Sequence, residues 1–230
     1  MLQQTQVERV LPKYEAFIER FPDFSSLASA RLGDVLRVWQ GMGYNRRAKA
    51  LKEIAGAVVR DHAGELPADE EVLQRLPGIG KATSSAIAAF AFGQSSALIE
   101  TNIRRVFIHF FFPGRRRIKD SQILPLVKKT VDRADPRRWY YALMDYGVML
   151  KKKHPDLLKK SSHYKKQSRF EGSDRQIRGA ILRELTKAPS LSWAEMTKRT
   201  KTDLKRVKRN ITALEKEGLV RRSGKKVCLP

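Results

Sequence analysis

The 230-residue chain is predicted to be all-α, and three observations carry that prediction. Through residues 1–150 apolar side chains recur at helical rather than alternating spacing. Turn signals at Phe21-Pro22-Asp23, Gly41-Met42-Gly43, Gly64 to Pro67 and Pro113-Gly114 divide that pattern into helix-sized pieces. Only the last residues, LVRRSGKKVCLP, suggest paired strands, with β-prone Leu219–Arg222 and Lys226–Leu229 flanking a Ser-Gly-Lys turn.

The first element begins as if in mid-helix. Leu2, Val7, Val10, Leu11, Tyr14, Phe17 and Ile18 follow helical spacing, yet no Ser, Thr, Asp or Asn precedes them to take the first-turn amides. The stretch lacks the basic start and unbroken apolar core of a signal peptide. Further helices are expected at about 31–39, 45–62, 69–75, 81–91, 101–112, 119–132 and 136–150. Residues 151–173 form a basic, polar linker. Residues 174–230 hold helices at about 174–187, 192–199 and 203–217 and then the hairpin, which is the order of a winged helix-turn-helix domain. Its third helix carries Lys201, Lys205, Arg206, Lys208 and Arg209 beside a buried stripe of Leu204, Val207, Ile211 and Leu214. In such a motif that helix enters a DNA groove; docking to another protein is the alternative reading.

Charge narrows the function. Forty-seven Lys and Arg stand against 24 Asp and Glu, a net +23, of which +16 lies in residues 151–230. An excess of this size implies a polyanionic partner bound through its phosphates. No apolar run approaches the length of a membrane span and no amphipathic anchor is visible, so double-stranded DNA is the expected partner and the cytoplasm the expected compartment. A single cysteine, Cys228, excludes an internal disulfide and any cysteine-only cluster, and His62, His109, His154 and His163 show no metal-ligand spacing.

Two segments carry chemistry. In LPGIGKATSSAIAAFAF (76–92), Pro77 ends one helix, Gly78 and Gly80 allow a tight turn, and another helix starts at once. Backbone amides without a neighbouring Cβ can approach a phosphate closely, and the new helix adds its positive end. This is a helix–hairpin–helix arrangement, and a turn inside an all-α core is its bland counterpart. In ALIETNIRRVFIHFFF (97–112), Glu100 interrupts a buried-looking run. A carboxylate there is costly unless it is paired, hydrogen-bonded or used. Helix capping by Thr101 or Asn102 is the competing explanation of the polar interruption.

Taken in order, MLQQTQV, VWQGMGYNRRAKAL, LPGIGKAT, IETNIRRV and YALMDYGVML resemble the helix–hairpin–helix DNA glycosylase superfamily over roughly residues 1–150, most nearly its A/G-specific adenine glycosylases. The resemblance implies a helix–hairpin–helix DNA glycosylase fold of two helical lobes with the active site between them. It implies removal of a base flipped out of duplex DNA. It also assigns the catalytic glutamate, the general acid that protonates the departing adenine, to a position just before Met1.

By the same resemblance Glu100 matches the second carboxylate, normally aspartate, which stabilises or attacks the oxocarbenium-like sugar, and Asn102 matches an asparagine supporting that site. Gln3 and Gln4 match glutamines that enter the duplex near the opposing base, and Tyr44 matches an aromatic wedge. Leu76, Gly78, Gly80 and Lys81 belong to the DNA-binding hairpin, joined in DNA contact by Lys205, Arg206 and Arg209 of the winged helix. Asp145 matches an aspartate expected to be structural.

Three features depart from the family pattern. Ala82 stands where lyase-type relatives such as endonuclease III carry a Schiff-base lysine, so cleavage through an imine is not expected. Lys151-Lys152-Lys153 occupies the place of an iron–sulfur loop, so no cluster is expected; the resemblance leaves room for a monovalent cation at the hairpin carbonyls. The usual C-terminal domain that reads 8-oxoguanine is replaced by the winged-helix segment. The expectation is a monomeric, monofunctional glycosylase releasing a purine, adenine mispaired with G or 8-oxoguanine. A catalytically silent DNA-binding regulator and a glycosylase for another base are the rival readings.

Overall fold

The computed structural model describes residues 1–230 and is helical almost throughout. It packs as two compact units, residues 1–66 with 168–230, and residues 67–167.

In the first unit the opening helix starts later than its apolar spacing suggests. Helix α1 spans Val7–Arg20, its N-cap Gln6 offers no side-chain bond, and residues 1–6 are not helical. Leu2 is exposed, and of the expected stripe only Val10 and Phe17 are buried. A short α2 (Phe24–Ser29) was not expected. Its six residues bury only Leu27, too little for a period, and it forms because Asp23 and Ser26 cap it reciprocally. Helices α3 (Leu32–Val38) and α4 (Arg46–Asp61) complete the N-terminal part.

The second unit contains α5 (Glu70–Arg75), α6 (Lys81–Phe92), α7 (Thr101–Phe111), α8 (Asp120–Thr130), α9 (Pro136–Lys153) and a 3₁₀ turn at Leu157–Lys160. Helix α9 runs through Lys151, Lys152 and Lys153, where cations favour a helix C-terminus. Tyr140 is fully buried; its hydroxyl donates to the Ser96 carbonyl and accepts from Leu98 N–H. Gly147 lets α9 lie against the first turn of α7, because a Cβ there would come within 2.5 Å of the Asn102 carbonyl oxygen.

The chain then returns to the first unit as a winged helix-turn-helix. Helices α10 (Asp174–Lys187), α11 (Trp193–Thr200) and α12 (Leu204–Lys216) are followed by an antiparallel sheet ordered β1-β3-β2, from Leu191–Ser192, Arg221–Ser223 and Lys226–Cys228. The two-residue β1 was too short to read from sequence. Two expectations for the third helix need correction. Leu204 is exposed, leaving Val207, Ile211 and Leu214 as the buried stripe, and Lys201 precedes the helix as the left-handed residue ending α11.

Linear motifs divide this chain differently from its packing. Val35, Leu36, Trp39 and Ala48 share one core with Ile181, Leu182, Met196, Val207, Ile211, Leu214 and Val227. Arg37 Nε donates to the Thr186 carbonyl at 3.3 Å, and Lys49 Nζ donates to the Glu217 carbonyl at 2.8 Å. The physical reason is size: a domain of some sixty residues buries little surface alone, and a shared core buries more.

Candidate active site

The hairpin is built from helix ends. Leu76 caps α5 and, together with Ile79, turns inward; both are buried, so Leu76 anchors the turn instead of facing outward. Ile79 N–H closes the turn onto the Leu76 carbonyl at 3.2 Å. Gly78 takes φ +74°, a conformation that L side chains resist. Gly80 is the N-cap of α6 and supplies no side chain to its first turn. Gly78, Gly80, Lys81 and Ala82 are exposed, so the α6 amide end opens to solvent.

Glu100 is itself the N-cap of α7, which rules out the competing reading in which Thr101 or Asn102 would cap. Its Oε1 accepts from the N–H groups of Asn102 and Ile103, the latter at 2.7 Å. Both bonds fall on one oxygen, leaving Oε2 for another partner. Burial pushes the Glu100 pKa above the ordinary carboxylate value, and the Ile103 and Asn102 amides and the charges of Arg104 and Arg105 oppose this without cancelling it.

Behind Glu100 lies a support that the sequence did not single out. Arg105 is buried, and its Nη1 donates to Asn102 Oδ1 at 2.6 Å and to the Gly147 carbonyl at 2.8 Å. The asparagine is therefore fixed by a cation and by the close approach of α9 to α7. The available signal was an arginine pair inside an apolar run. Its other member, Arg104, binds Asp120 through two bonds at 2.7 and 2.8 Å, tying α7 to α8. Asp145 is exposed on α9.

In the first unit Gln3, Gln4 and Tyr44 are exposed, and the segments bearing them are joined by Arg47. The winged-helix cations are less uniform. Lys205 is exposed, whereas Arg206 donates to the Gly172 carbonyl at 2.6 Å and Arg209 binds both oxygens of Asp174 at 2.7 and 2.8 Å. Arg206 also reaches Asp174 Oδ1 at 3.4 Å, so an acid at the start of α10 already engages two of the three expected contacts.

With this geometry in place, comparison with known proteins gives a consistent picture. Residues 1–132 match the family described as HhH-GPD superfamily base excision DNA repair protein, and residues 174–221 match winged helix-turn-helix DNA-binding. An adenine DNA glycosylase of Mycolicibacterium smegmatis is 35% identical over 199 residues, covering 79% of this chain and 68% of that protein. The Homo sapiens adenine DNA glycosylase is 37% identical over 152 residues, covering 64% of this chain. The chain spans only 28% of that human relative's length and 43% of the Buchnera aphidicola one. Among solved structures, a thermostable thymine-DNA glycosylase superposes with a TM-score of 0.56 at 24% identity, covering 64% of this chain and 70% of that one; this likeness concerns the fold.

Proposed function

We propose, on the premise that the chain belongs to the HhH-GPD superfamily of base excision DNA repair proteins, that it hydrolyses the N-glycosidic bond of adenine mispaired with G or 8-oxoguanine in duplex DNA. The family, the adenine glycosylase relatives and the basic surface support this reading. The observation that carries it is Glu100: a carboxylate bound through Oε1 at the start of α7, with Oε2 unbound and Asn102 fixed beside it.

In this reading the bond between the sugar and adenine breaks with its electron pair going to the base, which takes a proton from a general acid. Glu100 stabilises the sugar cation until water adds and gives up its proton. Gly78, Gly80 and Lys81 hold backbone phosphate, Tyr44, Gln3 and Gln4 fill the opened stack, and the winged helix adds phosphate contacts through Lys205. Ala82 at the lyase lysine position supports hydrolysis without strand cleavage. The protein acts as a monomer on double-stranded DNA and uses no iron–sulfur cluster.

The test is a panel of duplexes carrying A opposite G, A opposite 8-oxoguanine, uracil, and T opposite G, given to this chain and to a form extended at its N-terminus by a glutamate-bearing segment of an adenine glycosylase relative. Adenine release from either form supports the reading. Tight binding without release from both establishes the silent regulator, and trapping of a covalent complex by borohydride overturns the monofunctional assignment.

A further inference from the structure

Arg47 lies in the first turn of α4, and its guanidinium binds two separate loops. Nη1 donates to the carbonyls of Met1 at 2.9 Å and Gln3 at 2.6 Å. Nη2 donates to Thr5 Oγ1 at 3.0 Å and to the Met42 carbonyl at 3.2 Å. The cation also lies 5.4 Å from the Trp39 ring centroid and 5.5 Å from that of Tyr44. Two further bonds close the joint: Thr5 Oγ1 to the Met42 carbonyl at 3.4 Å, and Trp39 Nε1 to the Gly43 carbonyl at 3.0 Å. Burial lowers the Arg47 pKa from its ordinary value, and its Nε is buried without a partner.

Both loops are strained where they project. Gln4 at φ +56° and Tyr44 at φ +47° are two of the five non-glycine residues with positive φ, one on each side of Arg47. Such conformations cost on the order of 1 kcal/mol or more and persist only where the surroundings impose them. Leu2, Gln3, Gln4 and Tyr44 nevertheless remain exposed. A tip that is strained, exposed and held by a planar five-donor fork is organised before it meets anything. No lysine could reproduce that fork, because a single ammonium cannot span four acceptors on two loops.

We propose that Arg47 is a positioning residue for duplex opening, holding the Gln3–Gln4 loop and the Tyr44 loop at the spacing needed to enter the stack together. This rests on the glycosylase reading above. Full-chain wild type, Arg47→Lys, Thr5→Val, Tyr44→Ala and the Arg47→Lys/Tyr44→Ala double variant are compared on a duplex with 2-aminopurine beside the adenine of an A·G mismatch. Circular dichroism and thermal melting establish that each is folded.

Duplex affinity of Arg47→Lys and Thr5→Val is expected to stay within about threefold of wild type, since phosphate contacts elsewhere are untouched. The rise in 2-aminopurine fluorescence at saturation falls at least about fivefold in Arg47→Lys and in Tyr44→Ala, and the double variant loses little more than either. Thr5→Val shows a smaller loss in the same direction. A folded Arg47→Lys protein with the wild-type rise, or an effect that adds in full to Tyr44→Ala, overturns the positioning role and leaves the glycosylase reading intact. If Arg47→Lys does not fold, an unchanged signal in Thr5→Val overturns it instead. Absence of the rise in wild type, together with no base release from either wild type or the N-terminally extended form, ends the glycosylase reading, and this inference with it.

Discussion

Helices α6 and α7 both begin in the same unit, and they treat their unsatisfied amides in opposite ways. Gly80 starts α6 and contributes no acceptor, so the amide end is left open to solvent. Glu100 starts α7 and supplies the anion from within the chain. The difference shows that one side chain can cap a helix and still keep an oxygen out of the cap: Glu100 Oε1 takes both amides and Oε2 takes neither. One oxygen caps, and the cap fixes where the other oxygen points. Here the glycine N-cap leaves its helix amides open to solvent, whereas the glutamate N-cap satisfies them and fixes its own carboxylate.

The strongest test of this division is Glu100→Gln, which keeps a carbonyl acceptor for the α7 amides and removes the charge. Base release should fall about 10²–10³-fold, the usual loss when a transition-state charge partner is removed. Stability should not fall. Because burial raises the folded pKa of Glu100, its contribution to stability is fully present below the unfolded pKa and is lost as pH rises through the folded value. The Gln variant should therefore gain on wild type near pH 8, with the gap closing towards pH 4, as read from urea midpoints. If activity and stability fell together at pH 8, Glu100 would be a cap alone.

Next in size is Gly147→Ala. A methyl group there would meet the Asn102 carbonyl at 2.5 Å and its Cβ at 2.6 Å, so α9 must move away from the start of α7. Overpacking of this kind costs about 1–3 kcal/mol. The same shift carries off the Gly147 carbonyl that Arg105 binds, so Asn102 loses its fixed position and base release falls as well. A variant with wild-type urea midpoint and wild-type rate would show that the α7 end does not depend on this support.

How much of this was legible beforehand depends on how local the cause is. Most of the longer helices were evident because apolar spacing and turn residues lie within each segment, and α10 lies at the expected 174–187. The ordered motifs were evident for the same reason. The non-helical start was not, because the bonds replacing helix there come from Arg47, far along the chain. Nor was the Asp174 grip on Arg209, or the joining of the winged helix to α3 and α4, since charge and composition do not say which partner a side chain finds. Glu100 could be singled out from its apolar flanks, but not the choice of oxygen that caps.

The smallest effects lie at α6, and they test the open half of the comparison. Gly80 has φ −98° and ψ 176°, which any residue adopts, and a Cβ there would meet nothing within 4 Å. Gly80→Ala should therefore fold, losing no more than about 1 kcal/mol from the weaker cap. Its methyl group would hold a phosphate away from the α6 amides, so duplex binding should weaken by roughly 1 kcal/mol, equally for matched and mismatched DNA. Lys81→Ala should lower the slope of log affinity against log salt by about one. The two changes separate what the helix end provides, since the amides act at contact distance and are little screened, while the lysine acts by displacing a counterion. A Gly80→Ala protein with undiminished affinity would show that phosphate sits elsewhere, and the amide end of α6 would then be an ordinary solvated turn.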